Sequence, residues 1–154
     1  MRLQIGQNNQ NYTEAYSEVS PIYSVRDATL NSSSKTFTVP DGEMWHLNWV
    51  RATFTSTATV GNRIIELDII DESSNVFLSL TAGAVQAAST TVDYNFLQGI
   101  YRETTVINGE LQVPFGLDTW LPAGWSVKIF DSAAIDAAAD DMIVSFQVKR
   151  YKGA

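Results

Sequence analysis

The chain has 154 residues, 45% of them hydrophobic, enough for a single domain with a substantial core. Its net charge of −7 argues against a nucleic-acid-binding surface, because affinity for phosphates rests on clustered Lys and Arg. The one basic cluster, Lys149, Arg150 and Lys152, reads as a solvated terminus. With no cysteine, there is no disulfide, thiolate metal site or Cys nucleophile, and packing, hydrogen bonds or assembly must stabilise the fold.

The opening residues, from Met1-Arg2-Leu3-Gln4-Ile5 to Asn11, lack the apolar stretch of a signal peptide, and no later apolar run is long enough to span a bilayer. The expectation is a protein made and used without crossing a membrane by that route. Residues 1–18 are rich in Gln, Asn, Tyr and Glu and bury too little apolar surface to offset the entropy of ordering them. They are expected to form a polar arm, either frayed or ordered against a neighbouring subunit. Residues 19–154 make up the single domain.

From residue 19 the dominant period is two, the mark of strands with one buried face. Residues 19–25 form a short apolar segment that Pro21, lacking an amide donor, confines to an edge or an irregular lead-in. Asn31 to Ser34 reads as a turn into a strand over 35–39, and Pro40-Asp41-Gly42 as a tight turn. The strand over 43–55 carries a conflict. Trp45, Leu47 and Trp49 share one face, whereas Val50, Ala52 and Phe54 share the other. An extra residue near Asn48 would bring both sets to the core, which predicts a β-bulge or a crossing between sheets there.

A polar connection over 56–62, with Gly61-Asn62 as its turn signal, leads to a strand over 63–71 with Ile65, Leu67 and Ile69 inward. Ile64, Glu66, Asp68 and Ile70 face the other way. A turn over 72–75 precedes a strand over 76–80, with Val76, Leu78 and Leu80 expected to face the core and Phe77 outward. Residues 81–89 read as a loop or helical turn. Val92, Tyr94 and Phe96 point inward from the next strand. An irregular stretch then ends in Asn108-Gly109, a dipeptide of primed turns joining antiparallel strands, ahead of Leu111-Gln112-Val113. Leu121-Pro122-Ala123-Gly124 feeds a strand over 125–130, and Met142, Val144, Phe146 and Val148 mark the inner face of the last one. Between these two, the Ala-rich segment 132–139 is expected to form one helical turn capped by Asp131 or Ser132. Eight or nine strands at this spacing, without a long helix pattern, predict an all-β, antiparallel two-sheet sandwich, jelly-roll-like, with a polar N-terminal arm.

No residues assemble a recognisable catalytic site. His46, the one histidine, shows no local nucleophile or orienting carboxylate. Glu66 and Asp68 share a strand face, but a glycosidase pair also needs a sugar cleft and raised carboxyl pKa values. Asp131, Asp136, Asp140 and Asp141 lie close together yet lack the alternating ligands and Gly of a Ca²⁺ loop. They read instead as turn caps and as partners for an arginine, and no metal or cofactor is expected. Arg63 is the arginine in question: it opens an inward-facing set directly after Gly61-Asn62, where its guanidinium can brace a neighbouring loop bidentately. Trp45, Trp49, Trp120, Trp125 and Tyr94 read as core or interface material before a sugar-stacking platform. Ile64, Ile70, Phe77 and Phe130 are outward apolar residues, candidates for cover by another sheet, a loop or a subunit.

Five segments carry a family likeness: Val39-Pro40-Asp41-Gly42-Glu43-Met44-Trp45, Ala58-Thr59-Val60-Gly61-Asn62-Arg63, Ala84-Val85-Gln86-Ala87-Ala88-Ser89, Leu121-Pro122-Ala123-Gly124-Trp125 and the stretch from Asp131 to Asp141. Together they resemble small β-sandwich structural proteins of tailed bacteriophages, above all the head-decoration, or cement, proteins. The resemblance spans most of residues 37–148. It implies a non-enzymatic homo-oligomer, dimer or trimer, made in the host cytoplasm and placed on the virion's capsid surface, where it bridges major capsid protein subunits. Charge and hydropathy, for their part, lead to the expectation of no nucleic-acid and no membrane partner. A neck or tail structural protein, and a carbohydrate- or receptor-binding sandwich, are the alternatives.

Overall fold

The computed structural model describes residues 16–116 and 118–153. Ten strands run through them: β1 (Tyr16–Asp27), β2 (Ser34–Thr38), β3 (Glu43–Thr55), β4 (Ile65–Ile70), β5 (Val76–Thr81), β6 (Thr91–Gln98), β7 (Glu110–Phe115), β8 (Thr119–Leu121), β9 (Ser126–Asp131) and β10 (Asp141–Gly153). One sheet has the order β1-β10-β3-β6-β7, with β8 also joined to β3; the other has the order β2-β9-β4-β5. With β7 and β8 set aside as an insertion, the first sheet places strands 1-8-3-6 of eight side by side and the second 2-7-4-5. That is the jelly-roll connectivity of two Greek keys. The expected all-β sandwich is present, and the described residues contain no helix.

The core lies between the sheets and is built from the alternating positions. Ile65, Leu67 and Ile69 of β4, Tyr94 and Phe96 of β6, Val127 and Ile129 of β9, and Val144, Phe146 and Val148 of β10 are all fully buried. Phe37 meets Phe146 edge-on with ring centroids 4.8 Å apart, and Trp45 packs on the same ring at 5.8 Å.

In β3 the parity conflict is resolved by one extra residue. Its partner β10 pairs Gln147 with Trp49 but Val148 with Leu47, so Asn48 has no opposite number. Trp45 and Leu47 before this bulge and Val50, Ala52 and Phe54 after it are therefore all buried. Trp49 turns to the outer face and is half-buried.

Other expectations need correction. The strands number ten, because the three-residue β8 has too short a pattern to show in the sequence. The sandwich is also not wholly antiparallel: β6 and β7 pair in parallel, with Asp93 opposite Glu110. Asn108 and Gly109 do form a primed turn, at φ 52° and 81°, with Ile107 and Glu110 exchanging both backbone hydrogen bonds at 2.9 Å. The ladder stops at that one bridge. The preceding connection has already carried the chain back to the start of β6, and a connection of about a dozen residues is what a parallel pair requires. Val76 is 55% exposed because a register shift between Ile69 and Ile70 pairs Ile70 with Val76 and leaves Phe77 as the bulged residue of an edge strand. Residues 132–139 make consecutive turns and no helix. The expected arm over 1–18 lies outside the described residues as far as residue 15, and its last three residues open β1.

The registers give the sandwich two distinct ends. At the upper end, Asp27, Ser34, Thr55, Ile65, Thr91, Asp131 and Asp141 come together, so the β1–β2, β3–β4, β5–β6 and β9–β10 connections all cross between the sheets there. At the lower end lie Tyr16, Gly153, Glu43, Leu121, Thr38, Ser126, Ile70 and Val76.

The bulge is a counting device, and two variants separate it from any contact of Asn48 itself. Deleting Asn48 must turn one of the two apolar sets of β3 outward. Each large side chain so exposed is worth about 1.5–3 kcal/mol, so chemical denaturation should show a loss of roughly 3–6 kcal/mol or no folded state. Asn48→Ala removes only a long 3.5 Å contact to Gln147 and should cost less than about 1 kcal/mol.

Candidate functional site

Arg63 stands one parity step before Ile65, a position that points between the sheets, and it is fully buried. A guanidinium there must have every donor met. Nε donates to Asp140 Oδ2 at 3.0 Å and Nη2 to Asp140 Oδ1 at 3.2 Å; Nη1 donates to the carbonyls of Thr59 and Gly61 at 2.7 and 2.9 Å, and Nη2 also reaches Thr57 Oγ1 at 3.3 Å. All five N–H groups are thus used. Asp140 is equally buried and also accepts the Thr57 amide at 2.7 Å.

The other carboxylates of this end cap turns. Asp131 accepts the amides of Ile64, Ala133 and Ile135 at 2.8, 3.1 and 3.4 Å, which draws the Ala-rich turns onto the start of β4. Asp136 accepts Thr57 Oγ1 and Thr59 Oγ1 at 2.7 and 2.8 Å. These hydrogen bonds, with the Arg63 charge behind them, hold its carboxyl below the usual carboxylate range. Asp141 accepts the Asn31 amide at 2.6 Å and so includes the β1–β2 connection. Among the described residues no group of three or more His, Cys, Asp or Glu side chains is placed to hold a metal ion. Gly61 is required by a close approach: a Cβ there would stand 2.9 Å from the Ile135 side chain, at a φ of 154°.

Gln86, given no role from the sequence, completes this network. Its backbone exchanges two 2.9 Å hydrogen bonds with Arg63. Its buried amide donates to the carbonyls of Phe54 and Thr90 at 3.0 and 2.9 Å and accepts the Tyr94 hydroxyl at 2.9 Å. Burial, and then the Asp131 charge, push the Tyr94 phenol upward, so it remains a donor. A single Gln in a loop has no periodicity to reveal it. Arg63 was legible because a charge at an inward parity position needs a partner.

The remaining candidates are dispersed. His46 lies on the outer face of β3, stacked on Trp120 with ring centroids 4.6 Å apart, its Nε2 3.3 Å from Asp118 Oδ1. Glu66 and Asp68 sit on the outer face of β4 as expected, but Asp68 is only 7% exposed, opposite Lys128 and Ser79. Arg150 and Lys152 of the basic cluster approach Glu43 at 3.7 Å each. The five aromatics do not form one platform: Trp45 and Tyr94 are core, whereas Trp120 and Trp125 stand at the lower end. Nor do the four outward apolar residues form one patch. Ile64 and Phe130 belong to the upper end, Ile70 and Phe77 to the lower end, and Glu66, Asp68 and Lys128 occupy the registers between.

Phe77 belongs to a different feature. At the lower end the sandwich opens along the edge of β5 into a groove of about 750 Å³, lined by Phe77, Leu78, Leu80, Pro114, Trp120 and Trp125 among others. Phe77 is 71% exposed and tilts against Trp125 with centroids 5.1 Å apart. Among the described residues, Asp118 is the one charged member of its lining. No local pattern announces this groove, because it is made where two sheet edges, distant in the chain, fail to close.

No family model and no curated protein matches this chain. Among solved structures it is similar to a chain from the structure of infectious bursal disease virus Gx strain, at 12% identity and a TM-score of 0.30, covering 86% of this chain and 39% of that one. It is also similar to the family 11 carbohydrate-binding module of the cellulosomal cellulase Lic26A-Cel5E of Clostridium thermocellum, at 11% identity and a TM-score of 0.29, covering 92% of this chain and 93% of the module.

Removing one partner of a buried ion pair leaves an uncompensated charge and costs about 3–5 kcal/mol. Arg63→Ala and Asp140→Ala should each lose stability in that range by denaturant titration, with the double variant costing clearly less than the sum. A loss within about 0.5 kcal/mol for Arg63→Ala, as at an uninvolved surface site, would remove the brace. Asp136 makes a second, pH-dependent case. Because its folded pKa is lowered, its contribution is present above the ordinary carboxylate pKa of about 3.9 and is lost as pH falls through the folded value. Melting temperatures measured across the acid range should fall less steeply below about pH 4 in Asp136→Asn than in the parent; parallel curves would contradict the assignment.

Proposed function

We propose that this protein is a non-enzymatic structural subunit of a tailed-bacteriophage virion, which decorates and stabilises the capsid by bridging major capsid subunits as a homo-oligomer. The observation that carries this reading is how the polar side chains are used. The buried Arg63, Asp140, Gln86 and Asp131 are engaged in holding one loop to another. The groove beside β5, in turn, is mainly apolar, with Asp118 the single carboxylate among the described residues of its lining. General acid–base chemistry needs ionisable groups that converge on a cleft, and a load-bearing module needs connections that do not yield. The segments that carry the phage likeness include both sides of this brace: the stretch ending in Arg63, the loop of Gln86 and the stretch from Asp131 to Asp141. On an assembled shell, repeated weak contacts at high effective concentration would supply the affinity.

A second reading, a carbohydrate-binding sandwich, is favoured by one feature. His46 stacks on Trp120 on the outer face of the larger sheet, with centroids 4.6 Å apart, Tyr151 tilts against Trp120 at 5.4 Å, and Trp120 is 42% exposed. Exposed aromatic faces suit sugar rings. Cosedimentation with expanded phage heads separates the two. Saturable binding at regular lattice positions, with no change in Trp fluorescence on adding oligosaccharides, is the expected result. Absence of head binding together with saturable quenching by a glycan would replace the first reading with the second.

A further inference from the structure

Among the described residues, every connection that reaches the upper end carries a large aliphatic side chain out into water. Leu30 stands in β1–β2, Val60 in β3–β4, Val85 in β5–β6, Ile107 near the top of β6–β7 and Ile135 in β9–β10, and all five are exposed. Val60 is the extreme case at 91%. Exposed aliphatic residues scattered singly need no explanation, but these are grouped. Ile135 packs where a Cβ on Gly61, the neighbour of Val60, would stand. Val85 shares a shallow recess of about 300 Å³ with Val106 and Gly109, the residues on either side of Ile107-Asn108.

The tips are also held in place. The carbonyls on both sides of Val60, those of Thr59 and Gly61, accept Arg63 Nη1 at 2.7 and 2.9 Å. Asp131 holds the amide of Ile135, and Asp141 holds that of Asn31, next to Leu30. Val85 precedes Gln86, whose backbone is bonded twice to Arg63, and Ile107 is closed on Glu110 by the two bonds of its turn. The buried network therefore fixes apolar side chains that face water. A surface ordered before contact loses little entropy on docking, and its apolar area is stabilised only when covered.

We propose that the upper end is a docking face, and that its occupant is a protein other than this chain, with an aliphatic centre and a rim of Lys or Arg. Charge selects that occupant. Counted from the last residue of one strand to the first of the next, the four crossings hold five carboxylates, Asp27, Asp131, Asp136, Asp140 and Asp141, against one cation, Arg63. Lys35, reaching Asp27 at 3.2 Å, brings the balance to −3. The same face of a second copy presents the same sign, and like charges set against each other oppose association. Naming the partner rests on the capsid reading above, under which it is a major capsid subunit.

Cosedimentation of the full-length protein with expanded phage heads assembled without it tests the face. Val60→Asp and Val85→Asp each place a carboxylate on an exposed tip and should melt as the parent does. Each should weaken head binding about tenfold or more, as loss of an interface anchor does. Binding of the parent should weaken as ionic strength rises above about 0.1 M, where exposed charges are screened. Phe77→Asp, the same change at the lower end, should bind like the parent. Parent-like binding by both tip variants would overturn the proposal and leave the capsid reading standing. So would binding indifferent to salt, or an equal loss in Phe77→Asp. Heads that fail to take up the parent would overturn the capsid reading, and the partner named here with it. Sedimentation velocity of the free protein covers the other occupant: an oligomer that either tip variant dissociates would give this face to a second copy and overturn the proposal.

Discussion

The buried pairing of Arg63 with Asp140 is the constraint around which the upper end of the molecule is arranged. Arg63 introduces β4 in the smaller sheet and Asp140 introduces β10 in the larger one, so a bidentate contact between them spans the sandwich. Thr57 and Thr59 belong to the β3–β4 connection, Gln86 to β5–β6, and the Asp131 turns to β9–β10; Asn31, through Asp141, adds β1–β2. All four crossings at this end thus meet in one hydrogen-bonded network. Removing two charges from water costs several kcal/mol per ion, and attraction offsets that only where the remaining donors and acceptors are also met. Here they are, down to the fifth N–H of the guanidinium. An apolar replacement of equal volume would fill the space but would leave the carbonyls of Thr59 and Gly61 and the Thr57 amide without partners, which is the greater loss in a buried site.

How much of this was legible in the sequence depends on whether the information was local. Parity is local, and it placed the inward residues of β4, β6, β9 and β10 and located near Asn48 the break that is either a bulge or a crossing, which the pairing with β10 shows to be a bulge. The same rule marked Arg63, since a charge in phase with Ile65, Leu67 and Ile69 is an anomaly that only a buried partner resolves. Which of the aspartates would meet it was not local: spacing alone left Asp131, Asp136 and Asp140 equivalent, and the fold gave Arg63 to Asp140 while using the other two as caps. The parallel pairing of β6 with β7 was out of reach for the same reason. Asn108-Gly109 correctly announced a primed turn, but a turn dictates only its flanking bridge, and the partner of the strand beyond it was fixed by the path of the preceding connection.

Edges were the other source of error. Val76 and Phe77 alternate as an ordinary half-buried strand would, yet among the described residues β5 pairs with β4 alone, and the shift beside Ile70 leaves Phe77 outside the ladder. The outward apolar residues looked equivalent in sequence for a related reason: alternation says which face a side chain occupies but not how far along that face it lies. Ile64 and Ile70, six residues apart on one face, consequently belong to opposite ends of the sandwich.

The two ends follow opposite physical rules. At the upper end, short connections are tied down by directional, charge-assisted bonds that hold only when every member is in place, so local opening there must break several at once. At the lower end, contacts are apolar and non-directional, and a surface of Phe77, Leu78, Leu80 and two tryptophans tolerates different partners so long as water is displaced. The two ends therefore differ in what holds them together: directional bonds that must all be met around Arg63, and water displaced from apolar surface beside β5.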